Sequence, residues 1–277
     1  MTARPPLTYH GGKHRIAPWV ISFFPPHFTY VEAFGGMGGV LLNKPRSDTE
    51  VYNDLDLAVV NFFRVLRDPA SRARLIEMID LTPFAREEYD KAWEKPVEEE
   101  GVDAAWRFCV RARMSFGSKG ASATRKVGFR SPCKDHDEAR IWATLHKDLS
   151  RVGKRLQQVT IENLPALEIL EKHDTPDTLF YLDPPYLPST RESNGRGNYR
   201  RDMSAADHAA LLTKIQNVQG MVILSGYDSA LYGEALAGWE KHQMKTLAAA
   251  SRGTTSRIET LWLCPRAAQA TNGRLFS

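Results

Sequence analysis

Apolar residues in this chain recur in two rhythms. One is the short unbroken run, such as Thr178-Leu179-Phe180-Tyr181-Leu182. A run of this kind predicts a strand buried on both faces. Segments 29–34, 51–56, 159–163, 221–224 and 258–263 read as further strands. Elsewhere apolar residues return every three or four positions, over 57–66, 71–79, 87–93 and 102–116, which predicts helices. Pro69, Pro83 and Pro96 separate them. The pattern is completed by a long basic helix over 137–157, a helix ending near residue 172, and a helix over 204–216 capped by Ser204 with Asp207 three residues on. Strands alternating with helices predict an α/β fold, a mostly parallel sheet covered on both faces. The helical block 57–158 interrupts the alternation. It is expected to be an insertion between the two parts of one domain, 1–56 and 159–277.

The strand at 178–182 ends in Asp183-Pro184-Pro185-Tyr186. Proline cannot extend a ladder, so the strand stops there and Asp183 projects from its carboxyl end. Open α/β sheets bind ligands at that end. An acid, a stiff backbone carbonyl and an aromatic ring within four residues suit an exocyclic amino group on a planar base. Asp183 and the carbonyl of Pro184 can each accept one amino hydrogen. The nitrogen lone pair, otherwise conjugated with the ring, is then aimed at an electrophile, and the carboxylate stabilises the charge that develops. Tyr186 can stack on the base. The competing reading is a strand followed by a proline turn whose Asp caps the next element.

Two glycine segments precede this motif. Tyr9-His10-Gly11-Gly12-Lys13 combines a turn with a point charge suited to a carboxylate. The first strand runs into Phe34-Gly35-Gly36-Met37-Gly38-Gly39, after which 40–43 is expected to open a helix. Strand, glycine turn and helix form a nucleotide-cofactor arrangement. A dinucleotide fingerprint fails because Leu41 stands where a third glycine is due, and no GK[ST] follows for a phosphate loop. Asp54 falls about 20 residues after the turn, where a carboxylate can take ribose hydroxyls. Asp56 reads as the cap of the next helix.

In this order, Gly11-Gly12-Lys13, Phe34-x-Gly36-x-Gly38 and Asp183-Pro184-Pro185-Tyr186 resemble the Dam-like, D12-class family of DNA adenine N6-methyltransferases. The resemblance spans roughly residues 7–265 and is weakest in the middle. It implies a Rossmann-like methyltransferase fold with a helical target-recognition lobe at 57–158, and S-adenosylmethionine as cofactor. It also implies transfer of a methyl group to a flipped-out adenine of double-stranded DNA. Tyr9, Lys13, Glu32, Phe34, Gly36, Gly38, Asp54, Asn163 and Asp183 would form the cofactor site. Within it, Lys13 would lie near the methionine carboxylate, and Asn163 near the adenine ring, where the family commonly has Asp. Asp183, Pro184 and Tyr186 would act on the base, and Tyr227 would border its pocket unless it only makes a strand-end turn. The amino-group chemistry also fits RNA adenine, cytosine N4 or a protein glutamine amide. A DNA-binding module that lost catalysis is the other alternative.

Charge adds to the case for a polyanion. The net charge is +4, but thirteen Lys/Arg against four Asp/Glu fall within 107–155, and four Arg against one Glu within 191–201. Lys119, Arg125, Lys126 and Arg130 in one loop, and Arg191, Arg196 and Arg200 in another, are therefore candidate DNA contacts. Arg252 and Arg257 are candidate phosphate contacts. The recognition loop has only small residues between Lys119 and Arg125, so it suits phosphate contacts better than the reading of a named sequence. Cys109, Cys133 and Cys264 form no CxxC, and they predict reduced thiols rather than a zinc site or disulfide framework. No apolar stretch approaches a membrane span, and the start lacks the apolar core of a signal peptide. A cytoplasmic, bacterial or phage-encoded protein with no obligate protein partner is expected.

Overall fold

The computed structural model describes residues 4–9, 11–97, 99–117, 120–123, 125–130, 137–187, 200, 202–250 and 253–272, with side chains 247–256 left aside. Seven strands form one sheet. They are β1 (Thr29–Glu32), β2 (Thr49–Asn53), β3 (Val159–Glu162), β4 (Thr178–Leu182), β5 (Met221–Gly226), β6 (Glu240–Ala250) and β7 (Gly253–Leu263). Their order is β3-β2-β1-β4-β5-β7-β6. The first five are parallel, and β7 runs antiparallel to both β5 and β6. Every residue of β4 is buried, as its unbroken apolar run requires of a central strand. The chain winds one way from β1 to β2 and β3, and the other way from β4 to β5. It thus leaves a crevice at the carboxyl ends of β1 and β4.

The helices are α1 (Ala17–Ile21), α2 (Leu57–Arg67), α3 (Pro69–Leu81), α4 (Arg86–Lys91), α5 (Val102–Met114), α6 (Glu138–Ala143), α7 (Leu145–Leu156), α8 (Ala166–Lys172), α9 (Ala205–Ile215), α10 (Ala230–Ala235) and α11 (Pro265–Asn272). Asp56 caps α2 by accepting from the Ala58 N–H at 3.0 Å. Ser204 and Asp207 form a reciprocal capping box on α9. Helices α2, α3, α5 and α7 pack on one another, and α2 also packs on β3. Aromatic rings run from the sheet into this group: Tyr52–Phe63 at 4.7 Å, Phe62–Phe63 at 5.5 Å and Phe62–Phe108 at 5.3 Å. Residues 57–158 and the sheet therefore share one apolar core.

Three expectations differ from the structure. Residues 40–43 make consecutive turns, not an α-helix, because Pro45 lacks the N–H that another helical turn would need. The helix expected over 137–157 breaks at Thr144 into α6 and α7. The final strand starts at Gly253, not 258, and pairs along its whole length with β6, which the apolar pattern did not predict. β6 is an edge strand bearing Glu240, Lys241, His242, Gln243 and Lys245, and such a strand needs no continuous apolar run.

The charge pattern also changes meaning. Arg107, Arg111 and Arg155 are buried. Arg107 pairs with Glu99, and Arg111 holds the carbonyls of Ala92 and Lys95 at 2.7 and 2.8 Å. Arg155 binds both oxygens of Glu50 and the Leu41 carbonyl. A guanidinium satisfies several loop acceptors at once, so part of the basic run braces the interior rather than facing a polyanion. Cys109 and Cys264 are buried free thiols. Among the described residues no helix is long and apolar enough to cross a membrane, and no cluster of His, Cys, Asp and Glu could hold a metal.

Candidate active site

The register that pairs Glu32 with Tyr181 on one side and Tyr52 on the other brings three strand ends level. Phe34, Asp54 and Asp183 emerge there. They line a cleft with Tyr9, Gly11, Gly12, Lys13, Glu32, Gly35, Gly36, Met37, Gly39, Asp56, Pro185, Asp202 and Met203 among others. Its empty space is about 830 Å³ with the open mouth included.

The glycine turn forms one wall. Gly36 has φ +47°, a backbone that side-chain-bearing residues rarely adopt. Its N–H donates to Asp54 Oδ2 at 2.7 Å, and Tyr52 OH donates to its carbonyl at 2.6 Å. Gly39 serves by close approach: a Cβ there would sit 2.9 Å from the His14 nitrogen and 3.2 Å from that of Lys13. The bare backbone lets the segment carrying Lys13 lie directly against the turn. Gly38 completes the turn, its N–H donating to the Gly35 carbonyl at 2.8 Å, without lining the cleft.

Lys13 is buried, and its ammonium is engaged on three sides. Nζ lies 2.9 Å from Asp183 Oδ1, donates to the Gly11 carbonyl at 3.2 Å, and donates to the hydroxyl of Tyr186. Burial pushes Asp183 up to about 6, against the opposing pull of Lys13. Burial likewise raises Glu32 to about 8, although it accepts from Tyr30 OH at 2.7 Å and the Leu41 N–H at 2.8 Å. Asp54 is raised to about 6, again chiefly by burial. Acids shifted from their ordinary range within one cleft make it a candidate functional site.

A family model described as D12 class N6 adenine-specific DNA methyltransferase matches residues 9–249. The chain belongs to that family. Its sequence is 23% identical over 271 residues to the DNA adenine methylase of Haemophilus influenzae, covering 92% of this chain and 91% of that protein. It is 25% identical over 228 residues to the modification methylase LlaI of Lactococcus lactis, covering 76% of this chain and 34% of that longer protein. An rRNA methylase from Streptococcus thermophilus superposes with a TM-score of 0.33 at 11% identity, over 95% of this chain and 99% of the other.

Of the methyltransferase residues expected from sequence, Tyr9, Lys13, Glu32, Phe34, Gly36, Asp54 and Asp183 meet in the cleft. Asn163 does not line it; Nδ2 donates to the Asp54 carbonyl at 2.8 Å and so braces the end of β2. Pro184 is buried behind Asp183. Tyr186 stands on the far side of Lys13, its ring 4.2 Å from that of Tyr227. Arg125 and Lys126 are exposed, and Lys126 pairs with Asp90 at 2.7 Å. Arg130 is tied to Glu138 and to the Gly117 carbonyl. The Arg200 side chain turns inward: it pairs with Asp56 at 2.5 Å and holds the Ala121 carbonyl at 2.9 Å, so it braces the cleft wall. Arg257 donates to Tyr227 OH at 3.1 Å. Lys119, Arg191, Arg196 and Arg252 lie outside the described residues. Sequence reasoning assigned Asp56 only as a cap, yet it also lines the cleft with Oδ2 buried and unpartnered. It missed Gly39, Asp202 and Met203, whose approach depends on the packing of distant segments.

Proposed function

We propose that this chain transfers a methyl group from S-adenosylmethionine to N6 of an adenine extruded from double-stranded DNA. The observation that carries the reading is Asp183 at the end of the central strand, in the wall of the glycine-turn cleft and paired with Lys13. The cleft suits the cofactor. Asp54 and the unpartnered Oδ2 of Asp56 offer acceptors for ribose hydroxyls, and the glycine turn offers bare backbone. Glu32 is a buried acid with an ammonium as its natural counter-ion, and Lys13 is a cation for a carboxylate. When bound, the cofactor supplies a methyl group on a positively charged sulfur.

The chain's own residues do the rest. Asp183 and the Pro184 carbonyl accept the two amino hydrogens and aim the nitrogen lone pair. Asp183 also stabilises the positive charge that develops on nitrogen. Tyr186 offers a ring on which the base stacks. Adenine inside a duplex cannot reach Asp183, so extrusion must precede transfer, at a cost of a few kcal/mol that stacking and phosphate contacts offset. Residues 57–158 supply the recognition surface, with Arg125 and Lys126 as its exposed cations. On this reading the enzyme is a cytoplasmic, bacterial or phage-encoded protein.

The test is methylation of a mixed-sequence plasmid, read by single-molecule sequencing. The parent should modify adenines, and Asp183→Ala should abolish the signal while DNA binding stays within about twofold. An active Asp183→Ala removes this residue from the chemistry. A parent that binds cofactor yet modifies no DNA adenine points to RNA, cytosine or protein-amide acceptors.

A further inference from the structure

Beyond Asp183-Pro184-Pro185-Tyr186, one strand supplies side chains that no motif marks. On β7, Arg257 and Glu259 are two residues apart and therefore share a face. Gly226 of β5 pairs with Thr260, so Tyr227 leaves β5 beside them. Tyr186 OH donates to Glu259 Oε2 at 2.7 Å. The same hydroxyl accepts from Lys13, which is paired with Asp183. The Tyr227 ring backs that of Tyr186 at a centroid distance of 4.2 Å and a tilt of 46°, and Arg257 holds the Tyr227 hydroxyl. That spacing leaves no room for a base between the two rings, and the Lys13 ammonium lies 4.7 Å from the Tyr186 ring centre.

A tyrosine at a strand end is otherwise free to turn about two side-chain bonds. Here its hydroxyl is held on both sides, by a donor and by a charged acceptor, which is the stronger kind of hydrogen bond. We propose that Glu259 is a positioning residue for methyl transfer: it locks the Tyr186 ring as the stacking platform and keeps Lys13 on Asp183. The proposal rests on the adenine reading above. Glu259 also adds negative charge near Asp183, where it works with burial and against Lys13. The other charged or titratable groups about that carboxyl are Glu32 on β1, Tyr181 on β4, Tyr186, and Tyr232 on α10.

The experiment is single-turnover methylation of a duplex at saturating cofactor by the full chain, comparing parent, Glu259→Ala, Glu259→Gln, Tyr186→Phe and the Tyr186→Phe/Glu259→Ala double variant. Removing a charged hydrogen-bond partner should slow Glu259→Ala by about 10- to 100-fold. Glu259→Gln keeps an acceptor and should recover part of the rate, with the acid limb of its pH profile moved to lower pH. Cofactor affinity by calorimetry should stay within about twofold. The double variant should be no slower than the slower single one, because both changes sever one link. An active parent with Glu259→Ala and Glu259→Gln at parental rates overturns the proposal alone. So do additive losses, or losses that track cofactor affinity and melting temperature, since those are what a purely structural residue would give. A parent that methylates no adenine overturns the adenine reading and the proposal with it.

Discussion

Replacing Lys13 by Met would test the electrostatics on which the site depends. Lys13 Nζ and Asp183 Oδ1 are 2.9 Å apart, with side chains 7% and 15% exposed, so solvent screens the pair little. Burial already holds Asp183 at about 6 rather than 3.8, and Lys13 is the main restraint on a further rise. A cation at this range lowers a carboxylic acid by ~1–3 units, or about 1.4–4 kcal/mol. Met fills much the same volume without the charge. Asp183 must be ionised to stabilise the positive charge that develops on the amino nitrogen. Parental activity should therefore be present above about pH 6 and be lost as pH falls through that value. In Lys13→Met the loss should begin ~1–3 units higher. The assay is the initial methylation rate with DNA and cofactor both well below KM, which reports ionisations of the free enzyme. The ratio of variant to parental rate should climb steadily from about pH 6 to about pH 9. A ratio constant with pH would refute the reasoning and leave Lys13 a binding residue only.

Glu32 should make stability depend on pH. Its folded value of about 8 lies above the ordinary carboxyl range. The stability it lends is therefore complete at low pH and lost as pH rises through about 8, by up to about 5 kcal/mol. Glu32→Gln should flatten that fall in urea unfolding, and parallel curves for parent and variant would sink the idea. Arg200→Ala leaves Asp56 buried without its cation and should cost about 3–5 kcal/mol, visible as a lower melting temperature. The salt dependence of DNA binding should stay as in the parent, and a flatter salt slope with unchanged melting would return Arg200 to the DNA surface. Gly39→Ala would drive a Cβ into backbone atoms of His14 and Lys13. It should cost about 1–3 kcal/mol and weaken cofactor binding by calorimetry; an unaltered affinity and stability would show that the two segments can part freely.

Much of this molecule was legible in its sequence because the signals were local. The run at 178–182 read as a central strand, since four apolar side chains in succession after Thr178, closed by two prolines, suit a short strand covered on both faces. The prolines after Asp183 fixed where it ended. Glycines 36 and 38, and the acids closing β1, β2 and β4, fell at strand ends that the parallel register then brought level. The motif order sufficed for family resemblance.

Tertiary structure decided what depends on distant partners. Sequence counts charge without saying whether it faces water. Arg107, Arg111, Arg155 and Arg200 looked like a surface for phosphate, yet acids and loop carbonyls from other segments draw them inside. β6 opens on the polar residues Glu240 to Gln243, because an edge strand needs a neighbour on one side only, and that neighbour is the following strand. Glu259 joins the site from 73 residues beyond Tyr186, through a hydrogen bond that no spacing rule encodes. Apolar periodicity reports how a segment meets the core. Which polar groups meet one another is settled only when the strands take their order in the sheet.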